Sequence, residues 1–307
     1  MLSEGQLASL QLRVGKVGVW LTRLGLEPAR NERTTAQVIE NLGYRTLWIG
    51  ETLGNKEALS HASLLLSSTR NMTIATGIAN IWVRDASAMN SASNTLNEAF
   101  DNRFLLGLGV SHKPLVQARG HEYGRPLQAM EDYLNEMDRA EYFSARPSEP
   151  PIRVLAALRT KMLDLARERS GGAHTYFVTP LHTQRSREIL GPTVLLAPEQ
   201  AFIIDKSPIS ARALARAHMK YYLTLPNYLN NLKDLGFVSK DFQDGGSNRL
   251  VDSIVAWGNI ESVIERIREH IQAGADHVAV QPLCKSGDIG LDALTLLAPA
   301  VNELMAE

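Results

Sequence analysis

Short, nearly continuous apolar runs alternate along the chain with stretches whose apolar residues recur every three or four positions. The runs Lys16-Val-Gly-Val-Trp-Leu21, Thr46-Leu-Trp-Ile-Gly50, Met72 to Ala79 and Arg103 to Leu108 read as strands. So do Ile152 to Ala157, His174 to Val178, Ala201 to Asp205 and His277 to Leu283. Their lack of a polar alternate face is the pattern of strands covered on both sides in a parallel sheet. Helical periodicity fills roughly Glu32 to Leu42, Ala58 to Ser67, Ala86 to Phe100 and Ile260 to Gln272. Gly43 stands where the first of these helices needs a residue of positive φ. Asn259 can cap the last helix, and Gly274 ends it.

Eight strands, each followed by a crossover, predict a closed α/β barrel, the (β/α)8 TIM barrel, rather than an open doubly wound sheet. A length of 307 residues suits one such domain over the whole chain, with insertions. Two stretches exceed an ordinary loop. Residues 111–150 follow strand four and end in Arg146-Pro-Ser-Glu-Pro-Pro151; residues 206–258 follow strand seven and hold a helix with Pro208 near its first turn. Insertions at strand C-termini commonly form lids or substrate walls.

Composition narrows the partners. A 44% hydrophobic and 21% charged chain of net charge −1 gives no electrostatic reason to expect nucleic acid or a membrane surface. No apolar run is long enough to span a bilayer, and Met1 to Lys16 has no signal-like apolar stretch. The single Cys284 excludes an intrachain disulfide and any multi-cysteine metal site, which fits a reducing cytoplasm.

In a barrel, residues just past each strand's C-terminus face the pocket. That rule selects Trp20 and Thr22, Glu51 and Thr52, Gly77 to Asn80, Ser111 and His112, Leu158 to Lys161, Thr179 to His182, and Gln281. No metal-ligand cluster stands among them, and neither a nucleophile elbow nor a phosphate loop is present, so no metal is expected. Gly107-x-Gly109 lacks the third glycine of a dinucleotide fingerprint. A pocket so poor in acids and bases calls for a cofactor that carries the chemistry.

Each candidate has two open readings. Gly77, with the small Ala75 and Ala79, either floors a slot for a planar ring or packs the barrel interior. His112 either exchanges a proton with substrate or caps the loop before Pro114. Glu51 either accepts from a ligand N–H or pairs with Arg84. Arg159 and Lys161 either join free backbone N–H groups in an anion site or stay solvated, Asp164 being a partner for Lys161. His121 and His182 read as structural loop residues, and Trp20, Trp48 and Trp82 as pocket walls or core.

With these strand ends in view, the chain resembles the luciferase-like monooxygenase superfamily, in its actinobacterial branch of coenzyme F420-dependent oxidoreductases. The segments that carry the resemblance are Leu42 to Glu51, Ile74-Ala-Thr-Gly-Ile-Ala-Asn80 and Arg103 to His112. Arg119-Gly-His-Glu-Tyr-Gly-Arg-Pro126, Leu195 to Gln200, Leu225-Pro-Asn-Tyr228 and Gly274 to Val278 add to it, so that it spans roughly residues 16–283. The resemblance implies a deazaflavin ring over a bulge in strand three at Gly77, Ile78 and Ala79, with a cis peptide at Gly77-Ile78. It puts Glu51 after strand two, and Val110, Ser111 and His112 near ring and substrate. It puts the cofactor phosphate at Ala156, Ala157, Leu158, Arg159, Thr160, Lys161 and Met162. Related sequences carry Gly-Pro where this chain has Arg159-Thr160. Losing the glycine removes close backbone approach, whereas gaining arginine offers a charge-assisted contact.

The leading expectation is therefore hydride transfer between C5 of F420 and a small organic substrate, with His112 and Glu51 as catalytic residues. Trp20, Asn80, Thr179 and His182 are expected to line the substrate. Two rivals stand beside it: an FMN-dependent monooxygenase served by a flavin reductase, and a cofactor-free barrel that binds a small ligand. A homodimer is implied by the resemblance alone.

Overall fold

The computed structural model describes residues 2–21, 23–285 and 287–306; Thr22, one of the pocket-facing residues expected above, lies outside them. The strands are β1 (Val17–Leu21), β2 (Thr46–Ile49), β3 (Thr73–Thr76), β4 (Ala79–Asn80) and β5 (Phe104–Gly109), then β6 (Arg153–Ala156), β7 (Gly172–Thr175), β8 (Leu195–Ile204), β9 (Ala256–Gly258) and β10 (Val278–Pro282). All pair in parallel, and β10 joins both β1 and β8, which closes the predicted barrel. The helices are α1 (Glu4–Val14), α2 (Ala29–Asn41), α3 (Ala58–Leu66), α4 (Ala86–Ala99), α5 (Lys113–Gln117), α6 (Pro126–Arg139) and α7 (Thr160–Arg169). They continue with α8 (Pro180–Leu190), α9 (Pro208–Tyr222), α10 (Pro226–Asp234), α11 (Asn248–Ile254), α12 (Ile260–Gln272) and α13 (Leu291–Ala306).

Outward positions such as Leu47, Ile74, Leu106, Leu196 and Val280 form one cluster with the surrounding helices. Inward positions form a second, made of Trp20, Trp48, Ala75, Leu105, Val154, Ala197 and Ala279. The cap readings hold: Asn259 Oδ1 accepts from the Ser262 amide at 3.0 Å, and Gly43 follows α2 with a φ of 96°.

The departures from the pattern are local. The third strand does not run unbroken from Met72 to Ala79; it stops at Thr76 and resumes as β4 beyond a cis Gly77-Ile78 peptide. Gly107 and Gly109 lie inside β5 rather than in a loop after it. A Cβ on Gly107 would collide with the Thr76 carbonyl, and one on Gly109 with the Ile78 side chain. The sixth barrel strand ends at Thr175, short of the expected Val178, because Phe177 turns the chain with a φ of 60°. The seventh begins at Leu195, six residues early, where Pro198 and Glu199 interrupt the apolar run.

Helix α1, absent from the strand-helix reading, covers the N-terminal end of the barrel with Leu7, Leu10 and Val14. The Thr46 hydroxyl donates to the Val14 carbonyl at 2.7 Å, and His277 Nδ1 to the Gly15 carbonyl at 2.7 Å. The first insertion contributes α5 and the barrel helix α6. The second contributes α9, α10, α11 and the short β9, which extends the sheet from the end of β8.

Candidate active site

Alternation along the strands decides what faces the barrel's C-terminal mouth. From Leu195 and Ala197 inward the count reaches Glu199; from His174 it reaches Tyr176; from Ala279 it reaches Gln281; from Ala75 it reaches Gly77; and from Val154 it reaches Ala156. The middle of the interior is filled. Trp48 stacks on His174 with ring centroids 4.3 Å apart and donates to His277 Nε2 at 2.9 Å. Burial holds His174 and His277 neutral, with pKa values pushed down to about 4.

Above this layer the mouth has two unlike halves. Over β3 to β6 the inward-facing strand ends, Gly77, Gly109 and Ala156, carry little or no side chain. Gly77, Ile78, Val110, Ser111, Ala156 and Leu158 are all half-buried, a band of accessible positions across adjacent strands that we call the groove. Ser111 takes a φ of 56°, in a region non-glycine residues avoid. His112 follows it, half-buried, with its ring 5.6 Å from that of Tyr228 and its pKa lowered by burial. Trp82 braces this loop by donating from Nε1 to the Val110 carbonyl at 3.0 Å.

Over β7, β8, β10 and β1 the mouth is sealed. Trp20 lies 5.0 Å from the ring of Tyr176, and its indole occupies the place a Cβ on Gly77 would take. The Tyr176 hydroxyl donates to Gln281 Oε1 at 2.9 Å and lies 2.9 Å from the hydroxyl of Tyr222 on α9. Tyr228 on α10 packs edge-on against Tyr222 and Phe177. Glu199 sits among them, 2% exposed, with Oε2 accepting from the Phe177 amide at 3.2 Å and Oε1 without a partner. Desolvation pushes its pKa up to about 8. The Trp20 Nε1 and His174 Nε2 atoms, both near Gly77, are also buried without partners.

The predicted residues divide accordingly. Gly77, Ile78, Val110, Ser111, His112, Ala156 and Leu158 come together at the groove, with Ala79 buried in β4 behind it. Glu51 does not face it freely. Its Oε2 accepts from the Asn80 amide at 2.7 Å, its Oε1 from the Ala58 amide at 3.2 Å, and Arg84 pairs with both Glu51 and Glu57. The ion-pair reading of Glu51 is the one observed. Asn80 is buried, with Oδ1 accepting from the Trp82 amide at 3.0 Å. Thr179 caps α8, and His182 donates to the Leu158 carbonyl at 2.7 Å while Ser186 lies 3.2 Å from its other nitrogen. Asn80, Thr179 and His182 are thus engaged in holding the strand ends rather than displayed at the mouth.

At the turn after β6, Ala157 is buried, Met162 half-buried, and Arg159, Thr160 and Lys161 exposed. Arg159 heads α7 without a side-chain cap and pairs with Asp234 of α10 at 3.1 Å, tying the second insertion to this turn. Asp164 pairs with Arg167 at 3.2 Å rather than with Lys161, which stands at the same three-residue spacing on its other side. Sequence reasoning missed Tyr176, Glu199, Tyr222 and Tyr228. Counting every second residue beyond Ala197 would have reached Glu199; nothing in the local pattern of α9 or α10 marks the two roof tyrosines. A hollow of about 330 Å³ at the barrel's other end is lined by Asp138, Arg153 and Arg169, whose charges already pair, and it is no rival.

Comparison with known proteins gives this geometry a lineage. The family described as luciferase-like monooxygenase matches residues 14–277. 5,10-Methylenetetrahydromethanopterin reductase is a relative in two organisms. The Archaeoglobus fulgidus protein is 23% identical over 291 residues, covering 79% of this chain and 86% of that one. The Methanolobus tindarius protein is 27% identical over 99 residues, so the match spans 32% of this chain and only 30% of that relative. An F420-dependent secondary alcohol dehydrogenase in complex with an F420-acetone adduct superposes with a TM-score of 0.74 at 14% identity, over 94% of this chain and 99% of that one. The oxygenating constituent of 3,6-diketocamphane monooxygenase from Pseudomonas putida, in complex with FMN, superposes with a TM-score of 0.70 at 14% identity, over 96% and 98%. At such identities the two structures speak for the fold. The family match covers most of the chain and speaks for kinship: the chain belongs to the luciferase-like monooxygenase family, a family of oxidoreductase enzymes.

Proposed function

We propose that this member of the luciferase-like monooxygenase family uses coenzyme F420 to move a hydride between C5 of the deazaflavin and a small organic substrate. The observation that carries the reading is the open half of the mouth. Its contiguous strand ends offer glycine, alanine and backbone where a flat ring needs close approach, and few acids or bases that could do redox chemistry unaided. Two features fit the cofactor's other parts. The first turn of α7 is uncapped by any side chain, which leaves the Thr160 and Lys161 amides to hold a phosphate. Trp20 Nε1 and His174 Nε2 are buried polar atoms without protein partners beside the bulge.

When bound, the deazaflavin supplies or takes up the hydride at C5. This chain's own residues would do the rest. Gly77, Ile78, Ala79, Val110 and Ser111 would bear the ring, and the turn from Ala156 to Met162 would bear the phosphate, with Arg159 exchanging Asp234 for it. His112, neutral because burial disfavours its cation, would accept or return the proton of a substrate hydroxyl. Glu51 would act at one remove, by holding the Asn80 amide and so the bulge.

The cofactor-free reading also has an observation in its favour: Trp20 fills the inner side of Gly77, and Arg159 is already paired. Titration of the purified protein with F420 and with FMN, read by quenching of cofactor fluorescence, tests the proposal. Saturable F420 binding is the expected result; uptake of FMN alone transfers the site to flavin, and uptake of neither leaves a ligand-binding barrel. His112→Asn is expected to leave F420 affinity within about twofold and to lower turnover by about 100-fold.

A further inference from the structure

We propose that Glu199, with the Tyr176–Tyr222 hydroxyl pair beside it, recognises the substrate of this mouth, and that the substrate is a small uncharged alcohol or carbonyl compound. As a substrate assignment the inference rests on the F420 reading above. Its physical basis is the chemistry left unmet in the sealed half.

Glu199 is an inward residue of β8 at the level of Tyr176, and Oε1 has no partner among the described residues. A carboxyl meant to carry charge is usually held by several donors. Here, among the described residues, one backbone amide at 3.2 Å is the sole hydrogen bond to the group, and no lysine or arginine perturbs it. The group therefore retains its proton at neutral pH and offers an O–H to whatever oxygen enters, as a buried carboxylic acid can. Tyr176 and Tyr222 are the half-buried members of this otherwise closed half, so it keeps an accessible edge toward the groove.

Charge decides the class of ligand. An anion would meet a low-dielectric pocket without a cation to balance it. A cation would have to drive the proton off Glu199, and the aromatic faces that would otherwise receive it are packed on one another, with Tyr176 tilted against Trp20 at 5.0 Å and Tyr222 edge-on to Tyr228 at 5.4 Å. A neutral oxygen that accepts from Glu199 satisfies the unmet group without burying a charge, and an alcohol can in turn donate to the Tyr222 hydroxyl oxygen, the two tyrosine protons being spent on Gln281 and Tyr176.

The test uses four ligands of one shape: cyclohexanone, cyclohexanol, cyclohexylammonium and cyclohexanecarboxylate. Binding is measured by ligand-observed NMR on the protein with and without F420, for the wild type, Glu199→Gln and Glu199→Ala. The ketone and alcohol should bind at least about tenfold more tightly than either ion. Glu199→Gln, which still donates, should bind the ketone within about threefold of wild type, and Glu199→Ala should lose about tenfold or more. If the alanine variant does not fold, Glu199→Met fills the same volume without a donor. Equal or better binding of either ion, unchanged binding in the non-donating variant, or binding of none of the four to the F420-loaded protein overturns the inference. Selective ketone and alcohol binding by a protein that takes up no F420 leaves the recognition element standing and removes the cofactor reading. F420 uptake with an ionic preference does the reverse.

Discussion

The two halves of the barrel mouth are built by the same rule and end in opposite states. On the β3–β6 side the inward strand ends are Gly77, Gly109 and Ala156, and the surface stays half-open. On the β7–β1 side they are Tyr176, Glu199, Gln281 and Trp20, roofed by the tyrosines of α9 and α10. Strand geometry delivers a side chain to the mouth at every second residue; the size of that side chain decides whether the position becomes floor or filling. In this chain the small residues leave an accessible floor, and the large ones make a wall with Glu199 in it.

The sharpest way to break the comparison is to titrate that acid. The folded Glu199 carboxyl holds a proton that the unfolded chain releases above its ordinary value of 4.5. Rising pH therefore favours the unfolded state, and the loss accumulates from 4.5 up to about 8. The groups facing it are Tyr176, Tyr222 and Tyr228, which stay neutral throughout that window because burial raises their pKa values. Urea unfolding of wild type against Glu199→Gln across the window should show the wild type losing about 4–5 kcal/mol relative to the variant. A flat difference would mean that Glu199 is solvated.

Next in size, emptying the sealed half should cost more than filling the open one. Trp20→Ala removes a buried ring from between Gly77 and Tyr176 and is expected to lower unfolding free energy by about 3–4 kcal/mol in denaturant melts. Ala156→Phe, at a half-buried groove position, should cost about 1 kcal/mol or less and yet weaken F420 binding by about tenfold or more. If the costs are reversed, the groove is packed core and the division of the mouth fails. The smallest effect belongs to the tie between the halves. Asp234→Ala breaks an exposed pair with Arg159 and should change stability by about 0.5 kcal/mol or less, while F420 affinity rises because Arg159 is released.

The barrel was legible because its strands lack a polar face and its helix ends carry glycine and asparagine where the backbone demands them. Gly77, Ile78, Ser111, His112 and Leu158 were legible through the strand-end rule, which depends on local chain direction, whereas Val110 and Ala156 came from the family resemblance. Glu51 was half-legible: the sequence offered Arg84 as an alternative partner, but not the Asn80 and Ala58 amides, which reach it through tertiary contact. The role of the roof tyrosines was not legible, although Leu225-Pro-Asn-Tyr228 already stood among the segments that carry the resemblance. Tyr222 and Tyr228 meet Tyr176 across 46 and 52 residues of chain, and no period in α9 or α10 announces which of their faces will turn toward a barrel. Helix α1 was hidden for a related reason: its apolar stripe of Leu7, Leu10 and Val14 is short, and it acquires meaning through the open strand ends beneath it.

That helix also sets a rule for kinetics. A barrel filled along its axis by Trp48, His174 and His277 and stoppered beneath them by α1 exchanges ligands at its C-terminal mouth, so two ligands that share that mouth can obstruct each other. If the ring occupies the strand-end groove and a substrate held at Glu199 covers it from the facing half, the order is compulsory, cofactor first in and last out. Product inhibition patterns would then report the stopper, although no residue of α1 ever touches a reactant.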